Sequence, residues 1–404
     1  MGESGYPSEK DIDRCAGPGI EPSQLEDLLD CGVLPGRRSR RRAAPGLESA
    51  QLVPRDVFRA RGSCEKFLHR FGRRRTFTRA GSGTRCQATL RVSPLQLVAT
   101  VRLPHVRGRI DHFSVDVSGR RLFISALGNQ TVEVVDIRNE KWLQSVPGVR
   151  QPQGEYYAAG LHKLFTADGL GGDVRVYRGS DLRLLTTVKL ALGPDAEAYD
   201  PVTRLLYVGY GGGAAGVNYG EVGIINAVTD KHVGDIRTGA HPGTILVGQP
   251  GREIFITVPK THQISQIDAR TGRIAATWLS KAGSPVSLAL DRKDHRLFVG
   301  TRNPAGIEVF DSRTHRFVAS LPSVGLMDGL FYDALHHRIY ASGGQGYVAV
   351  YRQLSPNRYR EIAKIPTGPN ARTSLWVRQL DRYYVAVPES GARGARVLVF
   401  QPAP

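Results

Sequence analysis

Seven times along the chain a polar turn is followed by a basic residue and a short apolar run: GRRLFIS (119–125), LHKLFTA (161–167), VTRLLYVG (202–209), GREIFIT (251–257), DHRLFVG (294–300), HHRIYAS (336–342) and DRYYVAV (381–387). The aromatic at the centre of each, Phe123, Phe165, Tyr207, Phe255, Phe298, Tyr340 and Tyr384, recurs at intervals of 42, 42, 48, 43, 42 and 44 residues. A period of 40–45 residues with several short strands per unit is the pattern of a β-propeller blade.

Each unit parses into four strands, a to d. Strand a is FSVDV (113–117) in the first unit and LFYDA (330–334) in the sixth, and strand b is the recurring phrase. Strand c alternates apolar and polar residues, as in TVEVVDI (131–137) and GIEVFDS (306–312). Strand d follows a tight Asp- or Asn-initiated turn, as in DARTGRIAATWL (268–279), where short polar side chains cap the local backbone. Val, Ile, Phe and Tyr dominate these runs, as half-buried pleated surfaces favour.

The seventh unit has strands a (SLWVRQ, 374–379), b and c (RVLVFQP, 396–402) but no strand d. One unassigned strand, LQLVATVRLP (95–104), precedes the first unit and resembles the d strands RIAATWLS and RFVASLPS. Pairing it with the last unit removes two exposed sheet edges at once. The expected fold is therefore all-β, a seven-bladed β-propeller of four-stranded blades over residues 95–404, closed by the N-terminal strand.

Several of these stretches, including LVATVRLPHVRGRIDHFSVD, GNQTVEVVDI, RLLYVGYGGG, HRLFVGTRNPA and IPTGPNARTSL, resemble the bacterial YVTN-type, YncE-like propeller proteins. The resemblance covers about residues 95–404. It implies an exported protein, periplasmic or secreted. Members normally begin with a signal peptide, and no 7–15-residue apolar stretch follows a basic start here, so the chain as written does not fix the compartment.

Charge divides the 404 residues again. Residues 36–91 hold 16 basic residues against three acidic ones, whereas residues 1–35 hold two against eight. All four cysteines (Cys15, Cys31, Cys64, Cys86) also precede residue 92, at spacings that match no metal site and no CxxC. Residues 1–92 read as a disordered or mis-started Arg-rich segment. Nucleic acid is expected as a partner only through its basic part, 36–91, because clustered arginine neutralises phosphates. No apolar run reaches the length of a membrane helix, and a closed propeller needs no partner to hide its edges, so a monomer is expected.

In such a ring the d–a and b–c loops emerge on one face, around the mouth of the central channel. Counting back along strand a puts Asp111, Gln153, Asp195, Asp328 and Arg372 there from blades 1, 2, 3, 6 and 7. Blade 4 offers His241, and blade 5 offers Ser284 and Pro285 with a slipped register. His112 and Thr373 lie beside these, with Glu155 and Glu197 two positions further on. Clustered carboxylates favour a cationic partner, so the leading expectation is a binding or scaffold protein that holds a small polar or cationic ligand, or a partner protein's loop, at this mouth. The alternative is a hydrolase or lactonase in which Asp or Glu activates water and Arg372 or His112 holds an oxyanion. A purely architectural role competes with both, since Asp in these loops can simply cap backbone amides; Asp116, Asp200, Asp291 and Asp333, at the far ends of strands a, are expected to do only that. No cofactor is expected. Calcium on Asp111, Asp195 and Asp328 is conceivable through hard oxygen ligands, but no contiguous calcium loop is present. His336 and His337 fall in an a–b turn on the opposite face and are expected to be solvated.

Overall fold

The computed structural model describes residues 93–404, so the cysteines and the Arg-rich segment lie outside the described residues. Twenty-eight strands form seven antiparallel four-stranded sheets. Blades 1 to 6 take four consecutive strands each, spanning residues 113–147, 152–189, 197–238, 245–279, 283–322 and 327–366. Their innermost strands are β2 (Phe113–Asp116), β6 (Pro152–Ala158), β10 (Glu197–Asp200), β14 (Ile245–Gln249), β18 (Gly283–Asp291) and β22 (Met327–Asp333). Blade 7 has the order β26-β27-β28-β1, in which β26 is Ser374–Val377, β27 is Arg382–Val387, β28 is Arg396–Pro402 and β1 is Leu95–Arg102.

The closure expected from the orphan strand is thus present. β1 pairs with β28 from Leu95↔Pro402 to Arg102↔Arg396, and Leu103 N donates to Ala395 O at 2.9 Å. Blade 6 secures the junction, because Nη1 of the buried Arg338 donates to Pro94 O at 3.0 Å and Ala403 O at 2.6 Å.

The recurring phrase has a two-part explanation. Its aromatic fills the space between blades: six of the seven rings are fully buried and Tyr384 is 3% exposed. Phe123 stacks on Tyr157 of blade 2 at 5.5 Å, Phe298 on Tyr332 of blade 6 at 5.5 Å, and Tyr340 meets Trp376 of blade 7 edge-on at 5.6 Å. Each buried ring removes roughly 150–250 Å² from water. The polar turn before the phrase is set by a left-handed residue in every blade: Arg120, His162, Arg204, Gly251, His295, His337 and Asp381 all have φ between 50° and 74°. Histidine occupies three of those positions because its polar side chain tolerates this region better than most.

At the start of the same turn the expected aspartates cap the backbone. Asp116, Asp200, Asp291 and Asp333 accept from Gly119 N, Val202 N, Lys293 N and Leu335 N at 2.8–3.0 Å. The expectation of two solvated histidines needs one correction: His336 lies against Asp333, with Nδ1 2.7 Å from Oδ2 and only 15% of its side chain exposed.

The outer edges carry a second repeat. In blades 1 to 6 the c–d pairing slips register near the middle of strand c, and in blade 7 it slips between Leu97 and Ala99. Such bulges twist an edge strand and make it a poor template for further pairing.

Val101 of β1 is 3% exposed in the core shared with blade 1, whereas Gln96 on the same strand faces solvent. Val101→Asp should therefore destabilise the protein by about 4 kcal/mol or more by burying an unpaired charge. Gln96→Asp should cost less than about 0.5 kcal/mol. Urea unfolding followed by far-ultraviolet circular dichroism, with hydrogen exchange on β1 and β28, checks both.

Candidate functional site

The seven inner strands enclose a central cavity of about 490 Å³. The ladders fix which residues share a level around it. Phe113, Glu155, Glu197, Ile245, Leu288, Leu330 and Ser374 all sit opposite the same position of their strand b. Two residues earlier in each strand stand Asp111, Gln153, Asp195, Asp328 and Arg372, as counted from the sequence. Blades 4 and 5 differ from that count: the level is taken by Gly243 and Val286, not by His241 or by Ser284 and Pro285. The spacing from strand b is the same in these two blades as in the others, and neither residue at the level carries a polar side chain to mark it. The d–a and b–c loops do share a face, since Gly128 N donates to Arg109 O and Gly169 N to Gln151 O, both at 2.9 Å.

The polar residues at this mouth divide by what they touch. One group stitches neighbouring blades. Gln153 Nε2 donates to Pro194 O at 3.2 Å, Thr373 Oγ1 to Ile110 O at 3.2 Å, and His241 Nε2 lies 2.9 Å from Gly193 O. Three hydroxyls that sequence reasoning missed do the same: Thr244 to Val286 O at 2.5 Å, Ser287 to Asp328 O at 2.8 Å and Ser342 to Arg372 O at 2.6 Å. No spacing rule singles out a lone Ser or Thr, and only the folded ring shows that each reaches the next blade.

A second group is an ion network. Asp111, 1% exposed, lies 3.1 Å from Arg109, and His112 Nε2 sits 3.7 Å from both Asp111 and Asp195. Asp328 is held by Arg302 and, at 3.6 Å, by Arg372. Arg109 and Arg302 were missed because arginine is common throughout the chain and its reach is not legible from position. These cations answer the carboxylate cluster that had pointed to a cationic ligand or calcium. Among the described residues, no group of three or more His, Cys, Asp or Glu side chains is placed to hold a metal ion.

Electrostatics sharpen the distinction. Burial opposes charge on His112, but Asp111 and Asp195 outweigh it and lift the imidazole to about 9. With 38% of that side chain exposed, solvent screens part of the attraction. Burial raises Asp111 against the pull of Arg109, whereas Asp195 falls below the usual range because contact with His112 overcomes its burial.

The third group is two glutamates facing the cavity. Glu155, 4% exposed, accepts from Ser125 Oγ at 3.0 Å and Thr166 Oγ1 at 3.1 Å, and burial still pushes it to about 8. Glu197 is raised well above the usual carboxyl range, by burial first and by Glu155 next. Both of its oxygens are buried, and neither meets a hydrogen-bond donor among the described residues. Gly154 makes room for it: a Cβ there would lie 2.0 Å from Asp195 O and 2.7 Å from Glu197 Cγ.

Of the residues expected at the site, His112, Glu155, Glu197, Asp328 and Thr373 line the cavity, whereas Asp111, Gln153, Asp195, His241 and Arg372 do not. Leu288 and Leu330 share the level of the two glutamates, and Leu246, Phe331, Leu375 and the tilted pair Tyr156–Tyr199 at 5.5 Å add further apolar surface to the wall.

No protein-family model matches the chain, and no curated protein sequence matches it. Solved structures do. A chain of the Kuenenia stuttgartiensis hydrazine synthase aligns with a TM-score of 0.63 at 15% identity, covering 74% of this chain and 98% of that one. A chain of a mitotic checkpoint complex aligns at 0.65 and 10% identity, covering 81% and 98%. At such identities the likeness shows the fold: the protein is a seven-bladed β-propeller.

Among the raised groups, Glu155 and His112 illustrate the direction of the pH dependence. Between about 4.5 and 8 the folded protein keeps a proton on Glu155 that the unfolded chain has lost, so stability falls as pH rises through that window. Glu155 alone contributes at most about 1.4 kcal/mol per pH unit to that slope. His112, moved from 6.5 to about 9, adds a stabilisation that is complete below 6.5 and lost as pH rises through 9. Urea titrations at pH 5, 7 and 9 should show this decline, and Glu155→Gln should flatten its lower part; an unchanged slope in the variant would show that Glu155 ionises normally.

Proposed function

We propose that this protein is a binding protein of the YVTN propeller type that takes a small ligand into the polar end of its central channel. One observation carries the reading. Glu197 places a buried carboxyl on the cavity wall and leaves both oxygens without a protein partner, although buried polar groups are almost always satisfied. A group retained at that cost is one that a ligand can satisfy. The cavity volume falls in the range of small-molecule sites, and its mix of an apolar wall with few polar groups suits one.

The hydrolase alternative asks for oxyanion donors at the mouth. Arg372 is engaged with Asp328, His112 is shared between two aspartates, and Thr373 gives its proton to Ile110 O. That leaves the binding reading better supported. The resemblance to exported propellers makes an extracytoplasmic ligand part of the same proposal, and a fold that serves binders and enzymes alike does not decide it.

A thermal-shift screen of small polar and amphiphilic compounds against the wild type and Glu197→Leu tests the reading. Without ligand the variant should melt higher, because an unsatisfied buried acid is replaced by an apolar side chain. At least one compound should raise the melting temperature of the wild type and not of the variant. Compounds that shift both proteins equally, or a library that shifts neither, would count decisively against a site at Glu197.

A further inference from the structure

We propose that the channel ligand is a small organic amine, bound as its ammonium ion against the Glu197 carboxyl with an apolar body lying on Leu246, Leu288, Leu330 and Phe331. The inference rests on the channel being a ligand site and adds the ligand's chemistry.

The polar wall is rich in acceptors and poor in donors. The hydroxyls of Thr244, Ser287 and Thr373 each commit their hydrogen to a backbone carbonyl, at 2.5, 2.8 and 3.2 Å. Each therefore turns only lone pairs toward the cavity. Glu155 already takes two hydroxyl hydrogens, and Glu197 takes none. A ligand that brings N–H donors completes this wall. A carboxylate, phosphate or lactone carbonyl, which brings only acceptors, finds only the His112 ring and the O–H of a protonated Glu155 or Glu197 to donate to it.

Charge balance points the same way. Asp111 and Asp195 face Arg109 and His112, and Asp328 faces Arg302 and Arg372. The groups that act on Glu197 are Glu155 from β6, His112 ahead of β2 and Asp195 ahead of β10. Burial favours the neutral, protonated form of Glu197. When an ammonium ion enters, Glu197 gives its proton to solvent and becomes the counter-ion. One positive charge arrives and one proton leaves, so the net charge of the channel is unchanged. An entering anion has no comparable exchange: Arg109, Arg302 and Arg372 face aspartates, and Arg292, which lines the cavity, donates to Gly248 O and Val247 O.

Isothermal titration of the full chain with phenethylamine, 2-phenylethanol and phenylacetate, near pH 7 in two buffers of different ionisation enthalpy, tests the proposal. Hexylamine, 1-hexanol and hexanoate repeat it with a different apolar body. Each amine should bind at least about tenfold more tightly than its alcohol or acid, with about one proton released. Glu197→Gln should weaken amine binding by about tenfold or more and abolish the proton release, without lowering the melting temperature. An acid or alcohol that binds as tightly overturns the amine assignment while leaving the channel a ligand site. Amine affinity indifferent to Glu197→Gln overturns the assignment of the group. Failure of all six compounds to bind overturns the amine proposal, and the wider compound screen then decides separately whether the channel binds anything.

Discussion

The fold depends on one repeated contact, the strand-b aromatic wedged between its own blade and the next. Phe123 on Tyr157, Phe298 on Tyr332 and Tyr340 on Trp376 are instances of the same joint. A single blade cannot bury both faces, so each needs a neighbour, and the demand is met all round only when the ring closes. That is why β1 must travel to blade 7, and why Arg338 of blade 6 reaches over to hold the two ends of that sheet. Around the inner rim, side-chain hydrogen bonds from Ser125, Gln153, Thr244, Ser287, Ser342 and Thr373 tie successive blades together at a level the aromatics do not reach.

Most of this architecture could be read along the chain because it repeats. The aromatic, the turn aspartate and the missing last strand each leave a periodic trace, and the structure has all three. The site was only partly legible. Asp111, Asp195, Asp328, Glu155 and Glu197 lie on the levels expected, because those blades keep a constant distance from strand b to the start of strand a. Blades 4 and 5 keep the same distance, but Gly243 and Val286 carry no polar side chain, and the count there selected His241 and Ser284 in their place. Ionic partnership escaped the sequence altogether. Whether a carboxylate cluster awaits a cation or already has one depends on where the guanidinium groups of Arg109, Arg302 and Arg372 come to rest. In the folded ring they come to rest on the aspartates, and the chemical interest passes to Glu197, which has no such neighbour.

The short inner strands also separate two kinds of requirement. In β10 a four-residue strand begins with Glu197 at the cavity and ends with Asp200 in the turn that receives Gly251 N from the next blade at 2.6 Å. One end faces the channel, and the other serves the assembly of blades. Selection can therefore revise the first position of an inner strand, blade by blade, without disturbing the last. Seven such strands make a lining whose chemistry can diverge between descendants while the ring around it stays the same. A channel of this kind can keep its frame long after its lining has changed.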